Sequence, residues 1–212
     1  MNVWKSFIKE VILNSDKIYL KTLIRVNTFD NYILSVIRRN IKNRYLDRLM
    51  PIITAMGNLG IIWILIAGAL MINKEYRLIG NIVLLTLVFS TLIGEGIVKH
   101  IVRRVRPCNN KNNINLLIAR PLSYSFPSGH TLSSFAVAEV LSMYFNQYKI
   151  VFLGVAFLIA LSRLYLYVHY PTDVIAGVII GIICSKLIFI ILQGGYLGEV
   201  AVLDKIFNYE VL

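Results

Sequence analysis

The chain has 212 residues, of which 57% are hydrophobic and only 16% are charged, and its mean hydropathy is +0.69. A typical soluble domain has about 45–50% apolar and about 25% charged residues, so this composition excludes a disordered chain and disfavours an ordinary soluble domain. The 22 Lys and Arg residues against 11 Asp and Glu give a net charge of +11, which points to nucleic acid or anionic lipid as a partner. The excess of apolar residues favours the lipid bilayer.

Residues 1–49 contain no apolar run long enough to cross a bilayer, and they form the first predicted unit, a basic amphipathic segment. Apolar residues recur at helical spacing from Trp4 to Ile12, and again from Leu34 to Tyr45 opposite a row of basic residues. We therefore predict two amphipathic helices, which either lie on the membrane surface or pack against the bundle. The other predicted units are a membrane domain at residues 50–192 and a short tail at 193–212.

Five later segments are apolar and about 20 residues long, the length that a helix needs to cross a bilayer. The third is the least apolar, because it carries three serines and Glu139, and it fits lipid only if these residues face the bundle interior. The pattern predicts an all-α, polytopic membrane bundle of about five to six helices. Its spans are Pro51–Ile72, Leu78–Ile101, Ser128–Phe145, Ile150–Val168 and Val174–Leu192.

Three cations, Lys99, Arg106 and Arg163, lie at span ends on the same membrane face as the longest loop. Like charges repel unless a multiply charged anion lies between them, and a phosphate suits this role because Arg binds it bidentately and Lys supplies a point charge. The alternative is contact with lipid headgroups, which we favour for the neighbouring Arg103 and Arg104.

Residues close to these cations receive supporting roles. Glu95 precedes Lys99 by one helical turn and is expected to pair with it, because an unpaired carboxylate in lipid is costly. Asn58 and Gly60 are interpreted as helix-packing residues in the first span. Cys108 is interpreted as a bystander.

The sequence Pro127-Ser128-Gly129-His130 precedes an apolar helix. Proline favours the first helical turn, and glycine lets the backbone approach a ligand closely. Free N–H groups and the helix dipole at this end attract an anion, and the Ser128 hydroxyl can donate to it as well. Taken alone, the cluster also fits a simple helix start.

His169 and Asp173 are four residues apart, and Pro171 between them indicates the start of a helix. The carboxylate can accept a hydrogen bond from Nδ1–H of His169, which leaves Nε2 as a nucleophile or base; the alternative is a structural pair. With His130 as a second imidazole, the set suffices for phosphoryl transfer. No carboxylate cluster is left for a metal ion, so we predict neither a metal nor another cofactor.

In this order, the clusters resemble the signature of the type 2 phosphatidic acid phosphatase superfamily. It includes membrane lipid phosphatases, glucose-6-phosphatase, bacterial acid phosphatases and vanadium haloperoxidases. Each cluster is weak alone, but the joint match is specific and covers about residues 50–192. Every fixed position of the pattern is present: Lys99, Arg106, Pro107, Pro127, Ser128, Gly129, His130, Ser162, Arg163, His169 and Asp173.

The resemblance implies an integral-membrane lipid phosphatase that works without metal through a phosphohistidine. It makes His169 the nucleophile, Asp173 the carboxylate that orients it, and His130 the acid that protonates the leaving oxygen. The residues that it implies as phosphate ligands are Lys99, Arg106, Ser128, Gly129 and Arg163.

A site at the membrane surface suits a lipid phosphate whose tail stays in the bilayer, so the expected partners are a membrane lipid and the bilayer, without nucleic acid. By analogy with small bacterial members, undecaprenyl diphosphate is the favoured substrate. Phosphatidylglycerol phosphate and phosphatidic acid are the alternatives. A transporter or a non-catalytic lipid-binding protein is a rival class, but neither explains the set of His130, His169 and Asp173.

The charge distribution and the resemblance disagree about the side of the membrane that carries the site. The long-loop face and the N-terminal segment together hold 17 of the 22 Lys and Arg residues, which the positive-inside rule places in the cytoplasm. Most membrane members of the superfamily have the site facing outward. We therefore expect a multi-pass cell-membrane protein with an extracytoplasmic active site.

Overall fold

The computed structural model describes residues 21–110 and 115–195, and most of these residues are helical. The predicted all-α membrane bundle is confirmed. The predicted helix around Trp4 and most of the predicted tail lie outside the described residues. The helices are α1 at 21–36, α2 at Arg44–Met56, α3 at Ile61–Ile72, α4 at Arg77–Val102, α5 at Gly129–Tyr144, α6 at Lys149–Tyr165 and α7 at Pro171–Gly195.

Helix α5 lies at the centre of the bundle and packs against α4, α6 and α7. Its serines Ser133, Ser134 and Ser142 are buried, and the indole Nε1 of Trp63 donates to Ser134 Oγ at 3.0 Å. The polar residues of this segment therefore face the interior of the bundle, as its composition predicts.

Two glycines of α7 allow its backbone to lie directly against α5. A Cβ at Gly181 would lie 2.5 Å from the Leu132 carbonyl oxygen, and one at Gly177 would lie 2.9 Å from the Ser128 carbonyl oxygen. Helices approach this closely only where small residues face the neighbour. The first turn of α7 is thereby held beside the start of α5, where the Ser128 amide donates to the Asp173 carbonyl at 3.1 Å.

The prediction of five unbroken spans is wrong in two places. Within the described residues, three helices are long and apolar enough to cross a membrane, or four if α2 and α3, which are bent by 52°, form one broken span. The predicted span Ser128–Phe145 is a central helix of only 16 residues. The predicted span Pro51–Ile72 is interrupted at Leu59 and Gly60, whose φ angles of 52° and 71° are left-handed and cannot continue a right-handed helix.

The second predicted amphipathic helix, from Leu34 to Tyr45, is also interrupted. Helix α1 ends in a π-helical turn at Ile37–Ile41, and α2 then starts at a new N-cap, where the Asn43 side chain accepts from two backbone amides at 3.0 Å. Leu34 is 1% exposed and packs with the segment that precedes α7, whereas Tyr45 is 86% exposed. Helix α1 therefore packs against the bundle, and α2 runs through residue 49.

Candidate active site

A cavity of about 300 Å³ lies where the break between α2 and α3 faces the ends of α4, α5 and α6. The predicted site residues that line this cavity belong to separate elements, so residues far apart in the sequence meet there. Six of the eight predicted site residues line it: Lys99, Arg106, Gly129, His130, Arg163 and His169.

The other two predicted residues, Ser128 and Asp173, are fully buried beside the cavity rather than in its lining. The Ser128 hydroxyl accepts a hydrogen bond from Thr131 Oγ1 at 2.8 Å. The predicted anion-binding turn therefore meets the cavity through Gly129 and His130, the first two residues of α5.

Arg106 holds the nitrogen that the sequence predicts as the nucleophile. Its guanidinium donates to His169 Nε2 at 2.9 Å and to the Val168 carbonyl at 2.9 Å. It also donates to the backbone oxygen of Ser123 at 2.7 Å and to the hydroxyl of Ser123 at 3.0 Å. Burial lowers the pKa of Arg106, but a guanidinium remains charged in proteins and fixes the ring beside it.

His169 is 1% exposed, and its protonation follows from its neighbours. Because a guanidinium can only donate, Nε2 is the acceptor, and the proton of the neutral ring belongs on Nδ1. Nδ1 lies 3.6 Å from Asp173 Oδ2, which is longer than a hydrogen bond. Burial, followed by the charges of Arg106, Arg163 and Lys99, lowers the pKa of His169 well below its ordinary value and keeps the ring neutral.

Two further cations complete the lining. Lys99 donates from Nζ to Glu95 Oε1 at 2.6 Å and to Ser123 Oγ at 3.2 Å, so the predicted pairing of Lys99 with Glu95 is confirmed. Arg163 is 4% exposed and donates to Thr54 Oγ1 on α2. The Nε of Arg163 has no hydrogen-bond partner within the described residues, so this donor is available to an oxygen in the cavity.

The Glu95 carboxylate lies in the predicted anion site. A Cβ at Gly129 would overlap Glu95 Oε1, so the carboxylate rests on the backbone at the start of α5. A helix N-terminus attracts negative charge, and the Lys99 ammonium beside the carboxylate adds a full positive charge there. One carboxylate oxygen thus occupies the kind of position that a phosphoryl oxygen would take.

His130 is held by Asn58, whose place in the first predicted span favours a role in helix packing. Its Nε2 lies 2.9 Å from Asn58 Oδ1, at the break between α2 and α3. An amide oxygen accepts, so Nε2 carries a proton in this contact. Asn58 is therefore in contact with a predicted catalytic residue, and its interpretation as a helix-packing residue is wrong.

The interpretation of Arg104 as a contact for lipid headgroups is also wrong. Its Nη1 donates to Asp173 Oδ1 at 2.7 Å, and its Nη2 donates to Asp30 Oδ2 at 2.6 Å. Burial opposes its charge, but the hydrogen bond that Arg104 donates to Asp30 and the charge of Asp173 raise the pKa of Arg104 above its ordinary value. The guanidinium belongs to the protein interior.

Sequence reasoning missed the residues that hold the predicted ones. Thr54, Asn58 and Ser123 each bond a predicted site residue, but they follow no fixed spacing from it. Asp30 lies in another predicted unit, and no pattern in the sequence marks it. Within the described residues, no cluster of three or more His, Cys, Asp or Glu side chains could hold a metal ion.

Comparison with known proteins agrees with this geometry. Residues 79–195 match the PAP2 superfamily, more than half of the chain. The chain belongs to the PAP2 superfamily. The match starts later than the predicted residue 50 and includes every predicted site residue.

Among relatives of this PAP2 protein, a Sulfolobus acidocaldarius protein named undecaprenyl-diphosphatase is 36% identical over 122 residues, which are 57% of this chain and 58% of that protein. Bacillus subtilis phosphatidylglycerophosphatase B is 30% identical over 168 residues, which are 73% of this chain and 77% of that protein. The chain thus spans less than two thirds of the first relative's length.

The fold of this PAP2 protein also has a counterpart among solved structures. The crystal structure of Aquifex aeolicus LpxE has a TM-score of 0.65 and 29% sequence identity, and the match covers 76% of this chain and 94% of that one. The candidate spans and these relatives together identify a membrane protein.

Proposed function

We propose that this protein is an integral-membrane phosphatase that hydrolyses a lipid phosphate through a phosphohistidine on His169, without metal. The observation that carries the proposal is the contact between Arg106 and His169 Nε2. It puts the proton of the neutral ring on Nδ1 and the lone pair on Nε2, at the edge of a cavity that Lys99 and Arg163 also line. Arg106 then passes its hydrogen bond from Nε2 to a phosphoryl oxygen before Nε2 attacks. A buried neutral imidazole beside an anion cradle is suited to attack phosphorus.

In the proposed first step, Nε2 of His169 forms a bond to phosphorus, and the bond between phosphorus and the leaving oxygen breaks. Burial and the charge of Arg163 lower the pKa of His130 to about 2, so this step requires the phosphate dianion to offset the cations of the site and to favour the protonated ring. His130, held by Asn58, then gives its second N–H proton to that oxygen. The proton on Nδ1 of His169 faces Asp173, whose charge stabilises the ring as it becomes cationic. The phosphoryl oxygens meet Arg106, Arg163, Lys99 and the start of α5.

In the second step, water attacks phosphorus, and His130 accepts the proton that water loses. The bond between phosphorus and Nε2 breaks, and inorganic phosphate leaves. The Nε of Arg163, which is buried without a partner among the described residues, gains an acceptor when phosphate binds. Satisfying a buried donor in this way stabilises the bound state.

We propose undecaprenyl diphosphate as the substrate, with phosphatidylglycerol phosphate and phosphatidic acid as alternatives. Support comes from the name of the Sulfolobus relative, while the Bacillus relative favours the first alternative. A lipid tail could stay in the bilayer beside Leu59, which lines the cavity and is 89% exposed.

A phosphate-release panel on purified protein in EDTA tests the activity. It compares undecaprenyl diphosphate, phosphatidylglycerol phosphate, phosphatidic acid and a soluble phosphate ester. We expect turnover with the first, and its loss in His169→Ala but not in the matched control His100→Ala, whose side chain packs on Tyr124 outside the cavity lining. Equal rates on the soluble ester would overturn the lipid assignment, and normal release by His169→Ala would overturn the nucleophile. A transporter or lipid-binding protein would release no phosphate.

We propose that the site faces the extracytoplasmic side. One support is the resemblance to membrane members of the superfamily. The other is that Arg104 and Arg106, which the positive-inside rule counts toward the cytoplasm, form hydrogen bonds within the protein. A single cysteine within Asn109–Asn113, in a variant without Cys108 and Cys184, should react with a membrane-impermeant thiol reagent in intact cells. Labelling only after lysis would contradict this orientation.

A further inference from the structure

Helix α1 reaches the neighbourhood of the catalytic carboxylate through Asp30. This side chain is fully buried, although it lies in the basic N-terminal segment. Its Oδ1 accepts from the Thr172 amide at 3.0 Å, and its Oδ2 accepts from the Thr172 hydroxyl at 2.7 Å. Asp30 is thereby fixed to the residue that precedes Asp173 on α7.

The Arg104 guanidinium joins the two carboxylates. One nitrogen lies 2.7 Å from Asp173 Oδ1 and the other 2.6 Å from Asp30 Oδ2. The guanidinium also stacks over the Tyr170 ring, with its central carbon 4.0 Å from the ring centroid. The remaining oxygen of Asp173, Oδ2, accepts from the Tyr170 amide at 2.8 Å and faces His169.

The charges in this cluster explain why a second carboxylate is needed. With Asp173 alone, Arg104 would cancel the negative charge that the neighbouring imidazole needs as it becomes cationic. With Asp30 present, two carboxylates share one guanidinium, and the cluster keeps one net negative charge in a buried site. On the cavity side, the charged groups with the largest effect on the pKa of His169 are all cations: Arg106, Arg163 and Lys99.

We propose that Asp30 is a positioning residue for catalysis, which acts through Arg104 on Asp173 and His169. It fixes the orientation of Asp173 and preserves the negative charge that supports the phosphohistidine. The inference rests on the proposed function, in which His169 is the nucleophile. It also makes the N-terminal segment a working part of the active site.

The test compares Asp30→Asn with Asp30→Glu and with the control Asp47→Asn. Asp47 is a fair control because it also joins the N-terminal half to the bundle, through a 2.7 Å hydrogen bond from the Tyr165 hydroxyl, and has no contact with Asp173. Pre-steady-state kinetics with undecaprenyl diphosphate in excess separate the burst amplitude, which counts active molecules, from the rate constant of phosphoenzyme formation. Thermal stability is measured for each variant.

We expect Asp30→Asn to lower the rate constant of phosphoenzyme formation by about 10- to 100-fold, as displaced catalytic groups do, with KM within about threefold of wild type. Asp30→Glu should recover at least part of the rate, because it keeps the charge, and Asp47→Asn should leave the rate unchanged. Thr172→Val removes the hydroxyl that donates to Asp30 and accepts from Arg104 at 2.7 Å, and it leaves the charges in place. It provides a milder variant if Asp30→Asn does not fold. It should lower the same rate constant severalfold.

The outcomes separate this inference from the proposed function. If wild type is active and Asp30→Asn loses only burst amplitude or stability, as Asp47→Asn would, Asp30 is merely structural and the inference is wrong. The same holds if Asp30→Asn does not fold and Thr172→Val keeps the wild-type rate constant. A wild-type protein without activity on any lipid phosphate overturns the proposed function and this inference together.

Discussion

Replacing Gly181 by alanine should disturb both the bundle and the active site, although the residue lies two turns from the chemistry. The new Cβ would lie 2.5 Å from the Leu132 carbonyl oxygen, whereas ordinary contacts begin at 3.4 Å. The obstacle is backbone of the central helix, which has no alternative rotamer. Helix α7 must therefore move away from α5 by about 0.9 Å, and such overpacking costs about 1–3 kcal/mol.

The same movement reaches the carboxylate of Asp173, for which we propose a catalytic role, because Asp173 lies two turns earlier on α7. A displacement of about 1 Å at catalytic groups can cost about 100-fold in rate. We expect Gly181→Ala to lower the melting temperature in detergent by several degrees and kcat by at least about tenfold.

Gly154→Ala is the matched control, since Gly154 lies on α6 with no atom within 4 Å of an added Cβ. It should keep full activity and leave stability unchanged or raise it by up to about 1 kcal/mol, because alanine favours a helix. Differential scanning fluorimetry and phosphate release measure both effects. Equal behaviour of the two variants would refute the close contact between α5 and α7.

Three further perturbations test the site itself. Glu95→Gln keeps an acceptor for Lys99 but removes a negative charge from the anion site, so the Ki of vanadate should fall about 5- to 30-fold, or about 1–2 kcal/mol after discounting for exposure; a raised Ki would contradict this position of Glu95. Asn58→Leu should lower kcat and shift the alkaline limb of the pH profile of kcat to lower pH, because it removes the amide oxygen that stabilises protonated His130. A change in KM alone would argue against this contact. Because the pKa of His169 in the folded protein lies below 6.5, the unfolded chain binds more protons below that pH, and stability should fall there by up to about 1.4 kcal/mol per pH unit. The pH dependence of the melting temperature should therefore be steeper in wild type than in His169→Gln, and equal slopes would show that the ring is not held neutral.

The gathering of the candidate site residues at one cavity could be predicted because each lies near a span end, where hydropathy alone fixes its depth in the membrane. Lys99, Arg163 and His169 must then share a face, whatever the packing of the helices between them. The chemical identity of the residues narrows the choice of ligand, since three cations and two imidazoles on one face fit few ligands other than phosphate.

The supporting contacts could not be predicted, because they depend on how helices pack rather than on where they enter the bilayer. Asp30 meets Thr172 across 142 positions, and its neighbours in sequence are those of an ordinary amphipathic helix. The break before α3 depends on a left-handed Leu59, and leucine rarely adopts that conformation. Hydropathy also overestimates the length of α5, because buried central helices and short spans have similar compositions.

The bond between Asp30 and Thr172 has a consequence for the order in which the protein is made. Synthesis starts at the N-terminus, so Asp30 leaves the ribosome long before its partner on α7 exists. Until α7 is in place, Arg104 has neither Thr172 nor Asp173 to bind. A chain in which α7 is not yet inserted has the cations of the candidate site but lacks the carboxylate beside His169, so the proposed phosphatase activity requires α7 to be in place.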